Sequence, residues 1–326
     1  MKAVVRHEYG SPDVLKLEEV QKPTPEDNQV LIKVLAVSIN LSDWEGLRGK
    51  PLYARIGGLL RPGNKILGSD IAGRVEAVGK DVKQFKPGDE VFGLMTDYAG
   101  GLAEYACKSE KALALKPAGM TFKEAAAIPQ AAFIALQGIR DKGQVQPGQK
   151  VLINGAGGGA GTFAIQLAKL FGAEVTGVDN TEKLDLMSKI GADHVIDYTQ
   201  EDFTRNEQQY DLIIDVVAHR SVFAYKRALK PRGSCFVVGG SLATFFQILI
   251  LGPWIRRTTG KKIGVLVVQP NQKDLVFMAE LYKAGTVVPV VDRRYPLNEA
   301  AEAIRYLGEG HAKGKVVITL DHDNKT

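Results

Sequence analysis

An apolar run, Val151-Leu-Ile-Asn154, meets five glycines within the seven residues Gly155 to Gly161. A segment with apolar side chains at helical spacing follows, Thr162 to Lys169. No other feature restricts the fold of this chain as much. Strand, glycine turn and helix in succession predict a βαβ unit. In such a unit glycine lets backbone approach a pyrophosphate, and the helix N-terminus presents unpaired N–H groups. So many glycines carry an entropic cost that ligand approach would justify. The strict register reads Ala156-x-Gly158-x-x-Gly161, with alanine in the first glycine place. A second apolar stretch, Glu174-Val-Thr-Gly-Val178, ends in Asp179, at the distance expected for a ribose-binding acid. Gly158, Gly159, Ala160 and Gly161 are therefore the expected pyrophosphate contacts.

The flanking sequence divides in two. Before residue 121, Val30–Val37, Ile71–Val78 and Glu90–Gly93 read as strands separated by turns such as Lys86-Pro-Gly-Asp89. This is a mostly β region. From Thr121 the pattern turns helical, with Pro129 as a break, and then strand and helix alternate. Strands are expected at 151–154, 174–178, 194–197, 211–216 and 234–238, and helices at 160–171, 181–190 and 219–229. That rhythm predicts a doubly wound parallel sheet. Thr286–Val291 and Gly314–Leu320 read as strands flanking a helix near 298–307. They do not extend the alternation and are expected to return to the β region. The fold class is α/β, with domains at 1–122 (completed by 286–326) and 123–285.

A length of 326 residues with 45% apolar content suffices for two cores, and the net charge of +5 suits an anionic small ligand. No basic stripe interleaved with aromatics points to nucleic acid. The two cysteines, Cys107 and Cys235, exclude a disulfide framework and a cysteine-based zinc site, and suit a reducing cytoplasm. No signal peptide is apparent. The apolar stretch Leu242–Ile255 is too short to span a bilayer. It reads as a buried lid or subunit contact, with a membrane-facing patch as the alternative.

Several linked motifs resemble one family: Ser38-Ile-Asn40-Leu-Ser-Asp43, Gly68-Ser-Asp70-Ile-Ala-Gly73, Phe85-Lys-Pro-Gly-Asp-Glu-Val-Phe-Gly93, Gly101-Leu-Ala-Glu-Tyr105, Glu124-Ala-Ala-Ala-Ile-Pro129, the glycine loop, and Gly310-His-Ala-Lys-Gly-Lys-Val-Val-Ile318. Their order and spacing are similar to the zinc-free quinone oxidoreductase (zeta-crystallin-like) branch of the medium-chain dehydrogenase/reductase superfamily. The resemblance implies a GroES-like β domain joined to a Rossmann nucleotide-binding domain, and a homodimer; no stable membrane insertion is expected from the short apolar stretch.

Zinc-dependent members carry Cys, His and Glu where this chain has Asn40, Ser69 and Asp70. Asn and Ser are poor zinc ligands, which leaves one carboxylate. The five histidines, at 7, 194, 219, 311 and 322, show no ligand spacing. No metal is expected. Without a Lewis acid, hydride transfer is expected to an acceptor that is already electron-poor, a quinone or an enone.

By resemblance, the Asn40 amide is the leading donor to a substrate carbonyl, with a turn-stabilising role as its rival. Asp43 reads as a loop or cap residue. Tyr53 is the second candidate catalytic residue, as a proton or hydrogen-bond donor, although relatives often place tyrosine where Leu41 or Glu45 stands here. Pro129, Gln130 and Ile134 match a helix entrance that lies beside the nicotinamide in the family. Val217, Gly239 and Gly240 follow strands and fall where such sheets bind ligands. Asp179 favours the ribose diol of NADH, whereas Lys183 and Tyr198 match positions that hold the 2′-phosphate in NADPH-using members. The reading leans to NADPH, with NADH open. Alternatives to quinone reduction are a C=C reductase of lipid-derived oxo-enes and a non-catalytic NADPH-binding protein.

Overall fold

The computed structural model describes residues 1–95, 100–240 and 242–320. They form two compact units. One comprises Met1–Gln130, Pro270–Ala284 and Pro289–Thr326; the other comprises Ala131–Gln269 and Gly285–Val288.

The first unit is built on a sheet whose longest strand, Gln29–Ile39, is buried along most of its length, with Gln29, Lys33 and Leu35 less so. Asp70–Val78 pairs with it antiparallel on one side, followed by Glu90–Leu94 and Leu113–Leu115. On the other side Lys315–Thr319 pairs antiparallel with its C-terminal half, and Tyr105–Ser109 with its N-terminal half. The return of the late segment to the β region is thus present, with one difference. The added strand is Val291–Pro296, parallel to Lys315–Thr319, and of the apolar run Thr286–Val291 only the last residue is in a strand. Arg293 and Arg294 are exposed on this edge strand, and charge of this kind discourages pairing with another chain.

The second unit holds a six-stranded parallel sheet. Its order in space is His194–Asp197, Glu174–Asp179, Lys150–Asn154, Tyr210–Asp215, Leu229–Val237 and Lys262–Val265. This is the 3-2-1-4-5-6 order of a dinucleotide-binding sheet, in which the chain reverses direction across the sheet beside the first strand. Leu152, Ile213, Val178 and Phe203 pack in its core.

The division differs from the expected one at three places, one of them residues 286–288, which belong to the second unit. Residues 123–130 belong to the first unit, and so does a helix that the sequence reading passed over, Gln272–Lys283. Asn271 caps that helix by accepting from Asp274 N at 2.9 Å, and Gln272 Nε2 donates to Leu113 O at 2.7 Å. Pro129 begins the helix Pro129–Leu136 rather than merely breaking one, as proline at a first helical position allows. The stretch expected as a buried lid forms the helix Leu242–Thr259. Ile248 and Ile255 enter the core, while Phe246, Leu249, Ile250 and Trp254 are exposed, so only one face is buried. Among the described residues no helix is long and apolar enough to cross a membrane.

Candidate active site and cofactor cradle

In the second unit the glycine loop leaves Lys150–Asn154 through Gly155, at φ +81°. The helix Gly159–Leu170 then starts from Gly158, and no side chain caps it. The first-turn N–H groups of Gly159, Ala160 and Gly161 therefore have no intrahelical acceptor, which is the arrangement an anionic group can satisfy. Gly161 is required by packing: a Cβ there would lie 2.2 Å from Gly155 O. A Cβ on Gly157 would lie 2.6 Å from Lys183 Cβ. The backbone is thus stripped of side chains where a pyrophosphate would approach. These residues fit a dinucleotide.

Asp179 ends the strand Glu174–Asp179 as expected, but its carboxylate is 6% exposed and occupied. It accepts from Gly157 N at 3.0 Å and Asn180 N at 2.9 Å, and pairs with Lys183 Nζ at 3.3 Å. Tyr198 donates its backbone N–H to Asp179 O at 3.1 Å and leaves its ring half exposed. Asp179, Lys183 and Tyr198 thus meet at the C-terminal ends of adjacent strands. The expected opposition between Asp179 and Lys183 is replaced by an ion pair.

At the end of Tyr210–Asp215, Val217 is exposed and its N–H donates to Asp215 Oδ1 at 2.9 Å. The fully buried Asp215 also accepts from Ala218 N, Asn154 Nδ2 and, at 2.8 Å, Tyr225 Oη. It thereby shapes the Val217 turn, in which Ala218 is held at φ +51°. Sequence reasoning missed both Asp215 and Tyr225. A lone acid inside an apolar strand was the available signal for Asp215, and Tyr225 gave none. Burial, and then Asp215, push the Tyr225 hydroxyl pKa well up, so it stays protonated and donating. Gly239 and Gly240 follow Leu229–Val237 at φ +66° and +97°. Gly239 faces open space, whereas a Cβ on Gly240 would strike Ala218.

In the first unit, Asn40 precedes the helix Leu41–Arg48 and is buried. Its Nδ2 donates to Ser69 Oγ at 2.7 Å and Asp70 Oδ2 at 2.9 Å, and its Oδ1 accepts from Lys315 Nζ. Both amide hydrogens are therefore taken. In this geometry both are engaged within the protein. Asp43 stands in the first turn of that helix and, as anticipated, caps it and fixes the neighbouring loop. It accepts from Asn40 N at 2.8 Å, Gly68 N at 2.9 Å and Ser69 Oγ at 3.0 Å. Complete burial outweighs these donors and raises its pKa to about 6. Gln130 N donates to Asp70 Oδ1 at 3.0 Å.

Tyr53 lies on the short turn Leu52–Arg55, 40% exposed, with Oη 3.3 Å from the Glu45 carboxylate. Burial first, and the Glu45 charge second, push its pKa up to about 12. Its hydroxyl therefore stays protonated and donates to Glu45. Glu45, at one of the places where relatives carry tyrosine, is what engages it.

The residues at the place where zinc-dependent members carry ligands offer one carboxylate. Asn40, Ser69 and Asp70 do converge, but the fourth member of the group is the ammonium of Lys315, which sequence reasoning missed. Among the described residues, no three His, Cys, Asp or Glu side chains are placed to hold a metal. His7, His194 and His311 pair with surface glutamates, and His322 lies outside the described residues.

Residues 26–138 match the family described as alcohol dehydrogenase GroES-like domain, and residues 190–318 match that described as zinc-binding dehydrogenase. A 2-methylene-furan-3-one reductase of Solanum lycopersicum is 36% identical, over 98% of this chain and 79% of its own length. An NADPH-dependent alkenal/one oxidoreductase of Arabidopsis thaliana, described as chloroplastic, is 34% identical with the same coverage. The solved quinone oxidoreductase of Coxiella burnetii superposes with a TM-score of 0.88 at 30% identity, covering 98% of this chain and 99% of that one. The motifs, the two-unit architecture and these likenesses agree: the chain is an oxidoreductase of the quinone oxidoreductase branch of the medium-chain dehydrogenase/reductase superfamily.

Proposed function

We propose that the protein is a zinc-independent, NADPH-preferring reductase of quinones and other electron-poor conjugated carbonyls. One observation carries the reading. The side chains at the family's metal position offer a single carboxylate, and that carboxylate already faces a lysine. Asn40 and Ser69 add only neutral oxygen or nitrogen, so no Lewis acid is held there to activate a plain alcohol. A conjugated acceptor lowers that demand, because its own π-system spreads the charge that develops.

The bound nicotinamide nucleotide supplies the hydride. This chain's part is to hold it: the open N–H groups at Gly159, Ala160 and Gly161 receive the pyrophosphate, and the Val217 turn and Gly239 border the rest. NADPH is favoured because Asp179 is already neutralised by two backbone N–H groups and Lys183. Lys183 is thereby placed to meet a second anion near the ribose. The similar Arabidopsis oxidoreductase is described as NADPH-dependent. The similarity to a methylene-furanone reductase and an alkenal/one oxidoreductase favours, as a second reading, reduction of an enone C=C bond. The free thiols of Cys107 and Cys235 suit a reducing compartment such as the cytoplasm.

Oxidation of NADPH and NADH against quinones, enones, simple aldehydes and alcohols tests the proposal. Turnover of quinones or enones that survives chelation is the expected outcome. Alcohol oxidation that requires zinc would overturn it, and so would tight NADPH binding with no turnover of any acceptor. Reduction of enones alone would establish the second reading.

A further inference from the structure

Sheet register brings a lysine to the place where Asn40, Ser69 and Asp70 meet. Lys315 opens the strand Lys315–Thr319, in which Val316 pairs with Ile39, while Ser38 pairs with Asp70. Asn40, Asp70 and Lys315 therefore emerge at one end of the sheet, although 275 residues separate Lys315 from Asn40. Lys315 is 2% exposed and among the largest fully buried side chains of the molecule. Its ammonium donates to Asn40 Oδ1 and lies 3.3 Å from Asp70 Oδ2. Asp70 is itself fully buried. Charges removed from water this completely persist only with an opposite charge and hydrogen bonds around them. Here each supplies the other's counter-charge.

We infer that Lys315 is the built-in cation of the family's metal position. Its ammonium balances Asp70 and keeps the position closed to zinc. The inference rests on the metal-free reading above and goes further: the missing zinc ligands and the buried cation are separate features of this chain. The absence of a thiolate and an imidazole would by itself leave Asp70 buried without a counter-charge. Lys315 supplies that charge from the opposite neighbour of the central strand. A divalent ion seated on Asp70 would face the ammonium bound to the same carboxylate oxygen, and two like charges so close in a dry site repel strongly. Restoring ligands is therefore insufficient to restore metal binding.

Two variants separate the features. The first, Asn40→Cys with Ser69→His, restores a thiolate and an imidazole beside Asp70 and keeps Lys315. The second adds Lys315→Met. Cobalt(II) is titrated into each and read by its thiolate charge-transfer and d–d absorption, with quinone turnover recorded separately. The expected result is one cobalt per chain in the triple variant, bound roughly 100-fold or more tightly than in the double variant. Equal affinity in the two would overturn the inference. If the triple variant fails to fold, native mass spectrometry of the wild type and the double variant with excess zinc decides. One zinc retained per chain in either overturns the inference, and none in either supports it. Failure of quinone turnover alone refutes the proposed activity and leaves the cobalt result standing.

Discussion

Replacing Asp179 by serine removes the carboxylate that pairs with Lys183 in the cradle at 3.3 Å. At an effective dielectric constant of about 20, unit charges at that separation attract by about 5 kcal/mol. Much of that is offset by desolvation and by the order imposed on the lysine, so the net hold on Lys183 is far smaller. With Asp179 gone, the Lys183 charge is no longer shared and acts wholly on the 2′-phosphate, and the residual repulsion between that phosphate and the carboxylate disappears. A net gain of about 1.4–2.8 kcal/mol corresponds to roughly a 10- to 100-fold rise in the preference for NADPH over NADH. Gly157 N–H also loses its acceptor. That loss weakens both cofactors alike and cancels in the ratio. The assay is the Kd of each reduced cofactor by nicotinamide fluorescence, with thermal unfolding as a control on folding. A ratio unchanged in a well-folded Asp179→Ser protein would refute the reasoning, because it would mean that neither Asp179 nor Lys183 senses the 2′ position.

Other consequences are equally direct. Burial raises the Asp43 pKa from 3.8 to about 6. Its contribution to stability is therefore fully present below pH 3.8 and lost as the pH rises through 6, a change of about 3 kcal/mol. Denaturant unfolding should show this pH dependence in the wild type and not in Asp43→Asn, and parallel curves would contradict the assignment. Gly161→Ala forces a methyl group to within 2.2 Å of Gly155 O. It should cost about 1–3 kcal/mol of stability, and calorimetry should show weaker binding of both cofactors. Tyr225→Phe removes one of the donors to buried Asp215. A loss of about 1–2 kcal/mol is expected in urea, and no change in the unfolding midpoint would show that water replaces the hydroxyl without penalty.

The nucleotide-binding half was legible because its signals are local. Five glycines after an apolar run, then strands and helices at regular intervals, leave few topologies. Asp179 was placed at the correct strand end, yet its direction was not legible, because the Gly157 N–H that turns it inward belongs to a different element. The strand at Val291–Pro296 was missed for a related reason. Its neighbour Thr286–Val291 is richer in valine, whereas the true strand lies on an edge, where charge is favoured over apolar pattern. Lys315 could be quoted within a motif but not placed. Its partners lie 275 and 245 residues away, and only antiparallel register brings them together. Asn40 was recognised as special by position, but the sequence could not reveal that its amide hydrogens were already committed.

The interrupted make-up of the first unit has a consequence during synthesis. The second unit is nearly continuous and can close as soon as residue 288 has been made. The first unit must wait for a segment that follows it. At about 5–20 residues per second, the 245 residues between Asp70 and Lys315 take roughly 12–50 s to translate. Throughout that interval the backbone of Ala36–Ile39 is an open sheet edge, and Asp70 has no counter-ion. The nascent β domain is held incomplete until Lys315 arrives, which makes this interval the time at which the chain is most exposed to wrong strand pairing and most dependent on chaperones.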